Sequence, residues 1–338
     1  MKSLLVRPGQ TRFILATLVV FYHLSKSMFF GEFAVGCFFI LSGYWIAVMF
    51  EHKYLKKENS LKVFYVSRIW RLFPVFYTFT CLGFLSRLLS QSEFFHHKLA
   101  SLDFSQTVIF WFSNIFLLGY SNSDFKVIVP AWSLDIELQF YILFPLIAYV
   151  VSRNRIALLY MTGFFFAIAL FIHFWGIPRL NNTSFAYMYL FLLGMIGYYF
   201  KAKPNKNIEK ICNLILLGVV VCQFLVPSLK QYYNESPLYY ELLSMVMIAL
   251  AIPFLIGSVH AETNSRDKFW GEMSFLIYLS HWVIFIPYNV LINGATKLQR
   301  IPYVIGFLLL TFVIGFIVYK LVDRPSERLR QRWVKSQQ

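Results

Sequence analysis

Apolar runs close to twenty residues long recur from one end of this 338-residue chain to the other, and they leave few folds open. A helix rises about 1.5 Å per residue, so about 20 residues cross the ~30 Å hydrocarbon core of a bilayer. In that medium only a helix or a closed barrel satisfies its own backbone groups. These runs are continuous rather than alternating, so they read as helices. Composition agrees: 58% of residues are hydrophobic, 14% are charged, and the mean hydropathy is +0.60. No stretch between the runs is long enough for a separate soluble domain. The first run contains His23 and lacks a small-residue cleavage site, so it reads as a span rather than a cleaved signal. The expectation is an all-α, polytopic transmembrane helix bundle forming a single domain over 1–338.

A net charge of +15 raises the question of nucleic acid, but the basic residues gather in short segments between the apolar runs. That is the pattern of cytoplasmic loops, and no nucleic-acid partner is expected. Candidate spans fall at 12–30, 33–50, 69–89, 132–151, 156–175, 184–200, 211–228, 239–258, 270–292 and 303–322. A shorter apolar stretch lies at 105–120. The basic loops at 51–68, 152–155 and 201–210 must share one side, which requires an even number of crossings between them. Demoting 105–120, which carries Gln106, Ser113 and Asn114, to a re-entrant or partial helix restores that parity. Ten spans with both termini cytoplasmic result, with a basic tail over 323–338. This topology puts 23 of the 31 lysines and arginines inside. Cys37, Cys81, Cys212 and Cys222 lack zinc-like spacing, so no metal site is expected.

Within this framework a few polar side chains demand explanation. Arg12 and His23 lie eleven residues apart in RFILATLVVFYH; eleven steps make about three helical turns, placing both on one face roughly 16 Å apart. Arg12 falls at the cytoplasmic rim and His23 at or beyond the midplane. An intramembrane histidine needs a cavity or a partner, so it is either a functional group or a packing hydrogen bond between spans. Arg68 and Arg71, in SRIWRLFPVF, are neighbours on a helix surface and suit phosphate or carboxylate, though topology alone also accounts for them. In PAWSLDIELQFYILFP, Ser133 and Glu137 share a face, whereas Asp135 faces away and is expected at the interface. Trp132 serves equally as an interfacial anchor, and Tyr141 lies one turn beyond Glu137. WGEMSFLIYLSHW places Tyr278 and His281 on one stripe, which a packing network would also explain. Ser42 and Gly43, in GCFFILSGYW, read most simply as a close helix crossing.

Taken in order along the chain, Arg12 with His23, FFILSGY, Arg68-x-x-Arg71 with Pro74, WSLDIELQFYILFP and SFLIYLSHW resemble acyltransferase family 3. Its members are membrane proteins that O-acylate bacterial surface polysaccharides and some other acceptors. The resemblance covers essentially the whole chain. One departure is the absence of the aspartate commonly found before the first span: this chain reads Gly9-Gln10-Thr11-Arg12. The resemblance implies transfer of an acyl group, acetyl in the first instance, from cytoplasmic acetyl-CoA to a sugar hydroxyl of an O-antigen, capsule or exopolysaccharide, or of its lipid-linked precursor. Lipopolysaccharide modification at the bacterial inner membrane is the implied setting. With that reading, Arg12, Arg68 and Arg71 are assigned to the acyl-CoA phosphates or pantetheine entrance. His23 and Glu137 are assigned to catalysis, with Glu137 orienting His23. Ser42, Trp132, Ser133, Tyr141, Tyr278 and His281 are assigned supporting roles. The expected partners are the lipid bilayer, acyl-CoA and a saccharide acceptor, with no permanently bound cofactor. Acceptor selectivity is expected in the loops 176–183 and 229–238. His23 acts either as general base or as a transiently acylated nucleophile, the base being favoured. The competing class is a transporter or flippase of lipid-linked saccharides, which has the same polytopic architecture and intramembrane charges.

Overall fold

The computed structural model describes residues 6–25, 29–203, 205–226, 228–229 and 235–337. Residues 26–28 of the first expected span, and residues 230–234 of the expected acceptor loop, lie outside the described residues. The described chain is helical with no strand. Its helices are α1 (Pro8–Leu24), α2 (Gly31–Met49), α3 (Ser60–Ser90), α4 (Ser92–Ala100), α5 (Phe104–Phe116), α6 (Trp132–Arg153) and α7 (Ile156–Trp175). There follow α8 (Pro178–Asn181), α9 (Ser184–Tyr199), α10 (Lys206–Leu225), α11 (Pro237–Val259), α12 (Ser265–Leu291), α13 (Lys297–Val318) and α14 (Arg324–Ser336). Two π-helical turns, Phe50–Tyr54 and Tyr319–Asp323, continue α2 and α13.

Eight helical segments among the described residues are long and apolar enough to cross a membrane. Two further expected spans, α1 with 17 residues and α9 with 16, are shorter. The segment read as re-entrant forms α5, whose 13 residues reach about 20 Å, too short for the hydrocarbon core. Asp103 opens α5 by accepting from the Gln106 backbone amide, and left-handed Leu117 ends it.

The chain divides into two compact units. The first comprises residues 1–49 and 146–274. Here α2 lies along α9, α9 packs on α7, and α11 touches both α2 and α10. Glycine sets the closest approach. A side chain at Gly194 would collide with the Ile40 carbonyl oxygen, and one at Gly43 with the backbone of Phe191. The two helices therefore meet backbone to backbone, the arrangement that small residues permit between membrane helices. Gly43 is thus the crossing residue that the GCFFILSGYW stretch suggested.

The second unit comprises residues 50–145 and 275–338. Its long helix α3 carries Pro74 in its interior, and the Thr78 hydroxyl donates to the Pro74 carbonyl at 2.7 Å. The basic C-terminal segment forms helix α14, which packs against α3 and buries Arg330 and Val334. Arg324, Arg328, Arg332 and Lys335 remain exposed on its other side.

The glycine crossing gives a direct test. Gly194→Ala should destabilise the protein by about 1–3 kcal/mol, read as a lowered midpoint of thermal unfolding in detergent. Gly218→Ala, at a glycine whose added Cβ meets nothing within 4 Å, should keep the parent's midpoint. Equal midpoints for parent and Gly194→Ala would show that the helices do not depend on the bare backbone contact.

Candidate functional site

In the first unit, Arg12 and His23 lie on one uninterrupted helix, as their spacing required. Thr11, Leu15, Ala16, Val19 and Val20 are buried along the face of α1 that carries Arg12 and His23, which are themselves half-buried, while Gln10, Ile14 and Phe21 on the other side are exposed. The His23 ring meets Tyr22 edge-on at 5.0 Å, and Phe13 meets Trp270 at 4.6 Å. A carboxylate from elsewhere in the chain meets the start of this helix. Asp267, at the start of α12, accepts from the backbone amides of Gly9 at 3.2 Å and Gln10 at 3.0 Å. A carboxylate there satisfies orphan donors at the helix N-terminus and complements its partial positive charge. Gly9 permits the approach, since any side chain on it would strike the Asp267 backbone. Ser42 is half-buried on α2 beside Gly43.

In the second unit, Arg68 is the centre of a network. It is 4% exposed, and its Nη2 donates to the Tyr54 hydroxyl at 2.5 Å. Its guanidinium lies 5.5 Å from the Tyr54 ring centroid, 6.0 Å from that of Phe64 and 5.9 Å from that of Tyr141. Tyr141 in turn donates its hydroxyl to the Glu137 carboxylate at 2.5 Å. Glu137, Tyr141 and Arg68 are thus linked through one aromatic ring. Arg71, one turn along α3, leads elsewhere: its Nη1 donates to Asp323 at 2.9 Å, and its guanidinium lies 5.7 Å from the Phe275 ring. The pair shares a helix face, but their partners differ.

The Ser133 and Tyr278 hydroxyls are 2.7 Å apart, and Tyr278 also donates to the Pro130 carbonyl at 2.8 Å. These two supporting residues tie the start of α6 to α12. His281 is fully buried, with Nδ1 3.1 Å from the Ile277 carbonyl of its own helix. The neighbouring Ser280 donates to the Thr311 carbonyl of α13. Trp132 is half-buried at the first position of α6.

Asp135 departs from expectation. Rather than facing an interface, it is fully buried and accepts from Ser121 Oγ at 2.6 Å, the Ser121 amide at 2.8 Å, Gln139 Nε2 at 2.9 Å and the Gly119 amide at 3.2 Å. The sequence shows where α6 starts but not that the preceding loop folds back over it. Arg87 braces the same loop through the Lys126 and Val127 carbonyls. Burial there pushes the Lys126 ammonium below its usual range, opposed by the Asp124 and Asp135 carboxylates.

Tyr54, Ser67, Asp323, Glu327 and Arg330 belong to the Arg68 and Arg71 neighbourhood, yet the sequence did not single them out. Tyr54 and Asp323 sit on the two π-helical turns, a distortion that one sequence does not reveal. Arg330 donates to Ser67 Oγ at 2.5 Å, and Glu327 pairs with Arg330. Their local clue was a basic tail whose two buried positions, 330 and 334, stand four apart. Among the described residues no group of three His, Cys, Asp or Glu side chains could hold a metal.

The sequence model of the acyltransferase domain family matches residues 10–320, which contain the features just described apart from Gly9, Asp323 and the tail helix. This chain belongs to acyltransferase family 3. It is a multi-pass membrane protein by its apolar helices and its family. Among curated relatives, O-acetyltransferase OatA of Staphylococcus aureus strain NCTC 8325 / PS 47 is 25% identical over 341 aligned positions. A second protein, from S. aureus strain COL and named provisionally as an O-acetyltransferase, is 25% identical over 357 positions. Each alignment takes in 92% of this chain and 55% of the relative, so the chain spans about half the length of these proteins. No solved structure matches it.

The buried carboxylate sets the prediction for this region. Asp135→Ala leaves several buried donors without an acceptor and should cost on the order of 3 kcal/mol in stability. Asp135→Asn, which keeps one acceptor oxygen, should cost less. Unfolding midpoints of the two variants would check this, and a parent-like Asp135→Ala would show that the loop is held by other contacts.

Proposed function

We propose that this chain is a membrane-embedded O-acyltransferase that moves an acyl group, acetyl in the first instance, from cytoplasmic acetyl-CoA to a sugar hydroxyl of a bacterial surface polysaccharide or its lipid-linked precursor. The observation that carries the reading is the family match over 10–320, joined to Arg12 and His23 on a single helix. The named activity of the staphylococcal relatives supports the same chemistry. Transport of lipid-linked saccharides has no observation of its own in its favour.

In this reading the acceptor hydroxyl oxygen attacks the thioester carbonyl while His23 takes its proton. An ester C–O bond forms, the C–S bond breaks, and the proton passes from His23 to the departing CoA thiolate, giving free CoA thiol. A single direct transfer avoids an acyl-imidazole, which would have to be protected from water. Glu137 is assigned the negative charge that compensates the imidazolium formed in the transition state. Arg12, Arg68 and Arg71 are assigned to the phosphorylated end of the donor, for which guanidinium forks are suited. The supporting residues Ser133, Tyr141 and Tyr278 keep Glu137 and its helix in place.

His23→Gln removes the base while leaving a polar side chain of similar bulk. Removal of a general base should lower acetyl transfer by about 10²–10⁴-fold, measured as ester formed on isolated polysaccharide or glycolipid acceptor. Undiminished transfer by a normally inserted His23→Gln protein would remove His23 from the chemistry. Arg68→Ala with Arg71→Ala should raise the KM for acetyl-CoA more than it lowers kcat. An unchanged KM would return both residues to a purely topological role.

A further inference from the structure

The C-terminal helix α14 brings a second arginine to the place where Arg68 sits. Arg330 is 6% exposed although it belongs to a segment that composition alone would leave in solvent. Its Nη1 faces α3 and the first π-helical turn, donating to Ser67 Oγ at 2.5 Å and to the Tyr54 hydroxyl at 3.4 Å. The Tyr54 hydroxyl also receives Arg68 Nη2, so two guanidiniums converge on one phenol oxygen. Lys53 lies 6.0 Å from the same ring.

The remaining donors of Arg330 point at a carboxylate on its own helix. Nε reaches Glu327 Oε2 at 2.8 Å and Nη2 reaches Oε1 at 2.6 Å. This is the two-point fork with which a guanidinium holds a carboxylate or a phosphate. Gln331 also donates to Glu327, at 2.6 Å. The Glu327 side chain is more accessible than that of Arg330, 16% against 8%. Lys53, Arg71 and Arg330 thus gather near Glu327, and Arg71 also holds Asp323. Basic side chains brought together in this way favour an anion that can occupy the fork now held by Glu327.

We infer that Arg330 binds a phosphate ester of the acyl donor, and that Glu327 holds the guanidinium fork in its place until that phosphate displaces it. The inference rests on the acyl-CoA reading above and adds to it the tail helix, which lies beyond the residues matched by the family model. Tyr54 and Ser67 are positioning residues, since they fix the rear of the Arg330 guanidinium. A membrane lipid's headgroup offers the same phosphate chemistry, and the experiment separates the two sources.

Binding of CoA and of phosphate-free pantetheine would be measured by titration calorimetry on the detergent-purified full chain, and retained phosphatidylglycerol would be counted by native mass spectrometry. Glu327→Gln, which removes the competing charge, should bind CoA several-fold more tightly. Arg330→Lys, which keeps the charge but loses the fork, should bind CoA about tenfold more weakly, and its preference for CoA over pantetheine should fall accordingly. A merely structural pair would not give tighter binding on loss of one partner. If one variant fails to purify as a folded protein, the opposite-signed change expected of the other decides. Unchanged CoA affinity would overturn the inference, and altered phosphatidylglycerol retention at unchanged CoA affinity would overturn its assignment to the donor. Failure of the unsubstituted protein to bind CoA would overturn the acyl-CoA reading itself.

Discussion

The cost of a polar group in hydrocarbon governs this protein at every level. It forces the backbone into helices, because each amide and carbonyl must find its partner within the segment. It then dictates the treatment of charged side chains, none of which can enter the apolar layer without a counterpart. Arg68 is almost wholly buried, and it is held by a tyrosine hydroxyl and surrounded by three aromatic rings. Asp135 is fully buried and accepts four hydrogen bonds. Glu137 is joined to the Arg68 network through Tyr141. These side chains are expensive, and their main partners lie on other elements: Tyr54 of the first π-helical turn for Arg68, and the loop before α6 for Asp135.

Helix periodicity does not reveal partners on other elements, and this sets what the sequence could and could not disclose. Helix type and most helix positions were legible, because a twenty-residue apolar run in a bilayer has one solution. The shared face of Arg12 and His23 followed from helix geometry alone, and α1 runs through both without a break. Partners were another matter. Asp267 reaches the amides of Gly9 and Gln10 across more than 250 residues, and no local pattern announces it. Asp135 looked like an interfacial charge because it faces away from Ser133 and Glu137; apart from Gln139, its partners are in the loop before the helix. Tyr54 and Asp323 were invisible because each depends on a π-helical turn that shifts the register of the side chains following it.

The tail helix carries the same lesson. A segment with five basic and two acidic side chains reads as a solvated cytoplasmic end, and most of its arginines are indeed exposed. Arg330 is the exception, and Ser67 and Glu327 are what make its burial tolerable. Charge composition sets which side of the membrane a segment favours, whereas individual contacts decide whether one of its residues enters a site. The family match covers a region ending just before that helix.

The central claim is group transfer, and stoichiometry tests it most directly. Purified protein in sealed vesicles would be supplied with acetyl-CoA and a saccharide acceptor, and both free CoA thiol and acetyl ester would be followed with time. The account predicts one thiol released for each ester formed, with neither product in the absence of acceptor. Movement of the saccharide across the vesicle membrane with no thiol released and no ester formed would contradict it.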